Sequence, residues 1–134
     1  MGGDVGTTIT VKDLFYNVPA RRKFLRTVNT EGRYISDILS KIALSRPDVH
    51  LVLTRDDKEV INTPGSGDLV DTIESLYGKE VTKELLTVDY AQDGITLKGF
   101  ISRPTLLKGT RQWQTLFVNG RCINNRMVSK AIDH

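Results

Sequence analysis

The residues of this 134-residue sequence best suited to chemistry are four cations within six positions, Arg21, Arg22, Lys23 and Arg26. Clustered guanidinium and ammonium groups bind nucleic acid by neutralising phosphates and releasing condensed counterions, without reading the base sequence. On charge alone, the plainer interpretation of a solvated basic loop is also open. The cluster therefore predicts either a surface loop or a contact to a phosphate backbone.

Other reactive side chains form no recognisable catalytic or metal site. The single cysteine, Cys122, cannot form an internal disulfide, and its place in a predicted strand favours a small buried hydrophobe over a nucleophile. His50 is interpreted as a surface histidine, and with Cys122 and His134 it makes no zinc-binding pattern. The loop Gly65-Ser66-Gly67 lacks the Lys-Ser/Thr pair of a P-loop. We therefore expect no catalytic residue and no metal in this chain.

Aromatic side chains are interpreted as anchors of the core rather than as platforms on which bases stack. Their spacing is typical of strand and loop positions, and the set comprises Phe15, Phe24, Phe100, Phe117 and Trp113. Any nucleic-acid contact is then expected to run to the backbone, to weaken with salt and to depend little on sequence.

The net charge of +3 is spread unevenly along the chain. Residues 1–33 carry +3, residues 34–67 carry −1, residues 68–93 carry −5 and residues 94–134 carry +6. The acids of residues 68–93 are predicted to form a solvated face, with a surface for a protein partner left open. No apolar run approaches the roughly 20 residues of a membrane span, and no signal region is present, which predicts a soluble cytoplasmic protein with no membrane partner.

Apolar periodicity and turn residues predict the elements that must position the cations. Runs of β-branched residues predict strands, and apolar residues three and four apart predict helices. The break at Asn17-Val18-Pro19 leaves the cations on a loop. The predicted order is a strand over 7–11, a helix from Thr30 or Glu31 to residue 46, strands over 50–54 and 58–63, a helix between Asp68 and Gly78, a helical turn over 81–85, strands over 86–90 and 95–102, a polar stretch over 108–112, strands over 114–118 and 121–123, and a helix after Asn125.

Two motifs resemble the MutL family of DNA mismatch repair proteins. Residues 6–26 read GTTITVKDLFYNVPARRKFLR, which is similar to the family signature GTxVxVxxLFxNxPARxKFL, with Ile9 as a conservative departure. Residues 117–121, FVNGR, followed by Lys130-Ala131-Ile132, resemble the family's later VNGR...AI motif. The positions that match the first motif are Gly6, Thr7, Val11, Leu14, Phe15, Asn17, Pro19, Ala20, Arg21, Lys23, Phe24 and Leu25.

The resemblance implies that the chain is mostly the transducer domain that follows a GHKL-type ATPase domain. The implied fold is α+β and similar to the second domain of a small-subunit ribosomal protein. It has a mostly antiparallel sheet with helices on one face and a left-handed βαβ crossover, opposite to the usual hand. Residues 1–6 are then the end of the ATPase lid region or a lead-in, and residues 7–134 are a transducer domain truncated at its carboxyl end.

The resemblance further implies that the parent protein binds ATP and magnesium through motifs outside these residues. Gly6 and Thr7 match the last ATPase motif, in which a threonine hydroxyl and nearby backbone contact phosphate. Because phosphoryl transfer needs a metal, a base and cationic groups together, we expect this fragment alone neither to bind ATP usefully nor to hydrolyse it. Whether the parent is also an endonuclease is left open.

The resemblance also implies a basic groove for DNA. Lys23 and Arg26 from the first motif and Arg126 after the second are the candidate contacts, with Arg121 and Arg22 as weaker ones, and Arg21 is equally open to a structural pairing. The implied parent is an ATP-operated clamp that links mismatch recognition by MutS to strand incision and removal. Its partners would be DNA, MutS, a helicase, an incision endonuclease and a second copy in an ATP-driven homodimer, and in a bacterium it would associate with the nucleoid.

Two other classes of protein stay open at this point. One is the transducer domain of a different GHKL ATPase, such as a type II topoisomerase or a chaperone, and the segment FYNVPARRKFL argues against it. The other is an RNA-binding module of the ribosomal type. A comparison of binding to mismatched duplex DNA and to structured RNA separates this module from a DNA repair protein.

Overall fold

The computed structural model describes residues 5–106 and 113–132. The chain divides into two compact units, residues 1–33 and residues 34–134. The polar stretch predicted at residues 108–112, together with His134, lies outside the described residues. The domain limit predicted between residues 6 and 7 stays a prediction.

In the first unit, residues 7–11 belong to neither a helix nor a strand, although the sequence predicts a strand there. That prediction is wrong, because none of the strand pairs in the described part of the chain includes these residues. Ile9 and Val11 are 82% and 71% exposed. β-Propensity reflects packing against neighbouring strands more than an intrinsic backbone preference, so β-branched residues without such a neighbour do not make a strand.

A short helix, α1 (Pro19–Arg22), takes the place of the first part of the loop predicted for the cations. Pro19 suits the first helical position because its fixed φ is already helical and its missing N–H would have had no partner there. The carbonyl of Val18 accepts the N–H groups of Arg21 and Arg22 at 3.0 and 3.1 Å. The predicted break before Pro19 is confirmed, whereas the loop directly after it is wrong.

Helix α2 (Val28–Ser45) confirms the predicted amphipathic helix and begins two or three residues earlier than the predicted start at Thr30 or Glu31. The division between the two units falls within this helix. Its last turn closes on the carbonyl of Ile42, which accepts the hydroxyl of Ser45 at 2.8 Å and the N–H of Arg46 at 3.0 Å. Pro47 then prevents continuation, because it has no N–H to donate.

Three antiparallel hairpins lie in the second unit. The pairs are β1 (Val52–Arg55) with β2 (Lys58–Asn62), β3 (Leu85–Gln92) with β4 (Ile95–Ser102), and β5 (Leu116–Val118) with β6 (Arg121–Ile123). Their turns use Asp56-Asp57, Asp93-Gly94 and Asn119-Gly120, all with positive φ, as two-residue hairpin turns require. All three predicted hairpins are confirmed.

The described residues of the second unit also form the helices α3 (Leu69–Tyr77), α4 (Lys79–Thr82) and α5 (Arg126–Ile132). The side chain of Asp68 caps α3 by accepting the N–H of Val70 at 2.7 Å. Gly78 ends the helix with a φ of +91°. Asn125 caps α5, its side-chain oxygen accepting the N–H of Met127 at 2.9 Å. The predicted limits of a helix between Asp68 and Gly78 and of a helix after Asn125 are confirmed, because each depends only on residues within a few positions.

The most deeply buried side chains are two threonines, Thr63 and Thr72, at 1% and 0% exposure. The hydroxyl of Thr63 accepts the N–H of Leu51 at 3.1 Å and donates to the carbonyl of Val49 at 3.4 Å. Thr72 donates its hydroxyl to the carbonyl of Asp68 at 3.2 Å. Both hydroxyls are buried without penalty because their hydrogen bonds are made inside the fold.

A cavity of about 860 Å³ in the second unit is lined mainly by apolar side chains, among them Leu44, Ile73 and Phe100. Tyr77 and Trp113 also line it, and their ring centroids are 5.2 Å apart. Burial raises the pKa of the Tyr77 phenol above its ordinary value, because the charged phenolate is disfavoured away from water.

The α+β class and the antiparallel pairing are confirmed. Within residues 5–106 and 113–132 the strands form three separate two-stranded sheets. All three pairs are antiparallel, whereas a βαβ crossover requires a parallel pair. The described residues therefore do not show the left-handed crossover or the single sheet with helices on one face that the resemblance implies, and both stay predictions.

We expect Asp68→Ala to lower the free energy of unfolding by about 1 kcal/mol, because it removes the side-chain acceptor at the start of α3. Asp68→Asn keeps an oxygen in the same place and should lose less than half as much. Urea denaturation followed by circular dichroism measures both. Equal losses in the two variants would show that the carboxylate acts through its charge rather than through the cap.

Candidate nucleic-acid interface

The first group of candidate cations surrounds the carboxyl end of α1. Arg22 is the last residue of that helix and Lys23 caps it, donating its backbone N–H to the carbonyl of Pro19 at 3.2 Å. Further turns follow, in which the N–H of Leu25 donates to the carbonyl of Arg22 at 3.2 Å. Arg22, Lys23 and Arg26 are all exposed. A short helix and its exit therefore present three predicted DNA contacts within five residues of chain.

The second group lies on the hairpin β5–β6 and the helix after it. Arg121 is the first residue of β6 and is paired with Val118 across the turn. Arg126 is the first residue of α5, directly after the capping Asn125. Both arginines are exposed. These two contacts belong to the second unit, whereas Arg22, Lys23 and Arg26 belong to the first.

Four of the candidate cations have no carboxylate partner in the part of the chain that the structure describes. Within the described residues, Arg22, Lys23, Arg121 and Arg126 form no ion pair, and the same holds for Arg21. The ion pair that the sequence leaves open for Arg21 is therefore not formed with any carboxylate of the described residues. Cations without a protein partner keep their charge available for an anion.

Four ion pairs occupy the middle of the chain instead. They are Asp37–Lys41, Arg46–Asp48, Glu80–Lys83 and Asp89–Lys98, with N···O distances of 2.6, 2.8, 2.8 and 3.5 Å. The Arg46 guanidinium hydrogen-bonds to Asp48 and lowers the pKa of that carboxyl. The hydrogen bond to Asp37 raises the pKa of Lys41. These cations are already paired at the surface.

Several side chains singled out from the sequence lie elsewhere than expected. Cys122 is exposed, so its prediction as a buried hydrophobe is wrong. Phe24, predicted to anchor the core, is 86% exposed between Lys23 and Arg26. His50 is at the surface as predicted, with its Nε2 3.1 Å from Oδ1 of Asn62. Neither an exposed cysteine nor an exposed phenylalanine has a local sequence signal, because exposure depends on which distant elements cover it.

The predicted nucleotide contacts, Gly6 and Thr7, are exposed and belong to neither a helix nor a strand. In the described residues no group of three or more His, Cys, Asp or Glu side chains is arranged to hold a metal ion. Among these same residues, no helix is long and apolar enough to cross a membrane.

By fold and site, the described residues form an α+β protein with exposed cations at the end of the short helix α1, on the strand β6 and at the start of α5. Residues 73–134 match the family described as DNA mismatch repair protein, C-terminal domain. The chain is 42% identical over 133 residues to the DNA mismatch repair protein MutL of Agathobacter rectalis, covering 99% of this chain and 20% of that protein. It is 41% identical over 132 residues to MutL of Desulforudis audaxviator, covering 98% and 23%.

A third relative, MutL of Symbiobacterium thermophilum, is 42% identical over 132 residues, covering 98% of this chain and 21% of that protein. The chain belongs to the MutL family, and the resemblance carried by its two motifs is confirmed. It spans about a fifth of the length of these relatives.

Proposed function

We propose that this chain is a DNA-contacting segment of a MutL-type mismatch repair protein and that it conveys nucleotide state to the DNA-binding surface. The observation that carries the proposal is that the family match extends over nearly the whole chain. Arg22, Lys23, Arg121 and Arg126 support it, because they are exposed and form no ion pair among the described residues. Cations of this kind suit contacts to the phosphate backbone that do not read sequence.

ATP and magnesium are proposed as ligands of the parent protein. The exposed Thr7 hydroxyl and the Gly6 backbone suit contact with a phosphate at the edge of such a site. The bound nucleotide would supply the energy that drives closure and pairing of two copies. MutS, a helicase and an incision endonuclease are proposed as partners of the parent. The fragment alone is proposed to have no catalytic residue.

Salt titration of DNA affinity tests the proposal on the full 134-residue chain. If only Arg22, Lys23 and Arg26 contact phosphates, the slope of log K against log salt is predicted to be about −2.7. If the same duplex also contacts Arg121 and Arg126, the slope steepens to about −4.5. At the steeper slope, raising the salt from about 50 to 200 mM weakens binding about 500-fold. The slope therefore also reports whether one duplex engages both units.

Two results would contradict the proposal. A slope near zero would show that the cations do not contact phosphates. Tighter binding to structured RNA than to duplex DNA of equal charge would favour a ribosomal-type RNA module. Fluorescence anisotropy with a perfect duplex, a mismatched duplex and an RNA hairpin covers all three ligands, and the two DNA duplexes are expected to bind alike because the contacts run to the backbone.

A further inference from the structure

One hydrogen bond ties the candidate DNA-contact segment to the start of α2. The backbone N–H of Arg26 donates to Oε1 of Glu31 at 2.8 Å. Thr27, directly before the helix, accepts the N–H of Thr30 on its hydroxyl at 3.3 Å, and the hydroxyls of these two threonines are 2.8 Å apart. The backbone of Arg26 is thus anchored from within the first turn of the helix.

The arrangement is a capping box displaced by one residue. In the usual box, a Glu or Gln at the third helical position accepts the N–H of the capping residue itself. Here the third helical residue is Thr30 and the acid follows as Glu31, so the carboxylate reaches past Thr27 to Arg26. That N–H lies outside the helix and is not one of the unpaired donors of its first turn. The bond therefore fixes the chain before the helix.

We propose that Glu31 is a positioning residue for DNA binding, holding the backbone of Arg26 so that its guanidinium is presented to a phosphate. The inference rests on the proposed function. Ordering a residue's backbone costs conformational entropy, and a chain already ordered in the free protein does not incur that cost on binding. Because a carboxylate repels phosphate, the benefit of Glu31 has to come from its hydrogen bond and not from its charge.

Glu31→Gln and Glu31→Ala separate these two effects, because both remove the charge and only glutamine keeps an acceptor. Duplex DNA affinity is measured at fixed low salt by anisotropy. We expect Glu31→Gln to bind at least as tightly as the unaltered chain and Glu31→Ala to bind about fivefold more weakly than Glu31→Gln, the factor that corresponds to a hydrogen bond of about 1 kcal/mol. Combined with Arg26→Ala, the two Glu31 variants should bind equally.

Thr27→Ala is the matched control for helix stability, since it removes the cap of the same turn and leaves the bond between Arg26 and Glu31. It should lower the thermal midpoint but bind DNA like the unaltered chain. Equal affinity of Glu31→Ala and Glu31→Gln overturns the inference, as does a loss in Thr27→Ala as large as that in Glu31→Ala. If Arg26→Ala alone binds with undiminished affinity, the DNA contact itself fails, which is a result distinct from failure of Glu31.

Discussion

Lys23→Glu combined with Arg26→Glu should weaken duplex DNA binding by about 60-fold or more at 0.1 M salt. Each phosphate contact contributes a slope of about 0.9, which corresponds to about eightfold in affinity between 0.1 M and 1 M salt. Two lost contacts multiply to about 60-fold, and the introduced carboxylates add repulsion. The slope itself should fall by about 1.8. This is the largest expected effect on function, because both residues are exposed on one short stretch of chain.

The hairpin β1–β2 offers a control with the same change in net charge. Arg55 and Lys58 flank its turn, pair directly with each other and are exposed, and neither is a candidate contact. Arg55→Glu combined with Lys58→Glu should change affinity less than threefold. If this control loses as much affinity as the variant at residues 23 and 26, binding follows total charge and the assignment of a defined surface is wrong. Anisotropy at several salt concentrations measures both variants.

Gly65→Ala should have the largest effect on stability, lowering the free energy of unfolding by about 3 kcal/mol or more. A Cβ at this position would lie 2.4 Å from the backbone N and 2.9 Å from the Cα of His50, and Gly65 has a φ of +67°. Neither obstacle is the flexible end of a side chain, so the backbone has to move. Since small domains are stable by only about 5–15 kcal/mol, such a loss takes up a large part of that margin.

Gly67→Ala isolates the part of this cost that comes from the backbone angle. Gly67 has a φ of +83°, but a Cβ added there would meet no other atom within 4 Å. This variant should lose only the conformational penalty of about 1–2 kcal/mol. Urea midpoints at unchanged m-value give both free energies. Equal losses at the two glycines would show that the close approach to His50 is relieved without cost.

The elements predicted correctly share one property, which is that each depends on residues near to one another in the chain. Asn119-Gly120 predicts its hairpin because type I′ turns need two residues that accept positive φ, and the structure has both. Asp68 predicts the start of α3 because its carboxylate reaches only two residues ahead. The residues that specify such a turn or cap lie within a few positions of each other, so the element forms independently of the rest of the fold.

The errors concern elements whose state depends on a distant partner. Residues 7–11 have the composition of a strand but no pairing strand in the described chain. Phe24 and Cys122 have apolar character, yet both are exposed. The clustering of the candidate cations and the family motifs identify them from the sequence. The sequence does not predict the hydrogen bond between Glu31 and Arg26. The displaced position of the acid does not follow the usual spacing of a capping box.

The sequence by itself therefore determined the family, the long helix α2, the hairpin turns, the start of α3 at Asp68 and the two basic segments, because these follow from local periodicity, local hydrogen bonds and residue identity. Only the tertiary structure decided which cations lack a partner among the described residues, which apolar side chains are covered and how Arg26 is anchored. Burial is set by segments far apart in the chain, which no local pattern specifies. The bond that anchors Arg26 joins residues only five apart, but it departs from the usual spacing of a capping box, so that the local pattern does not predict it.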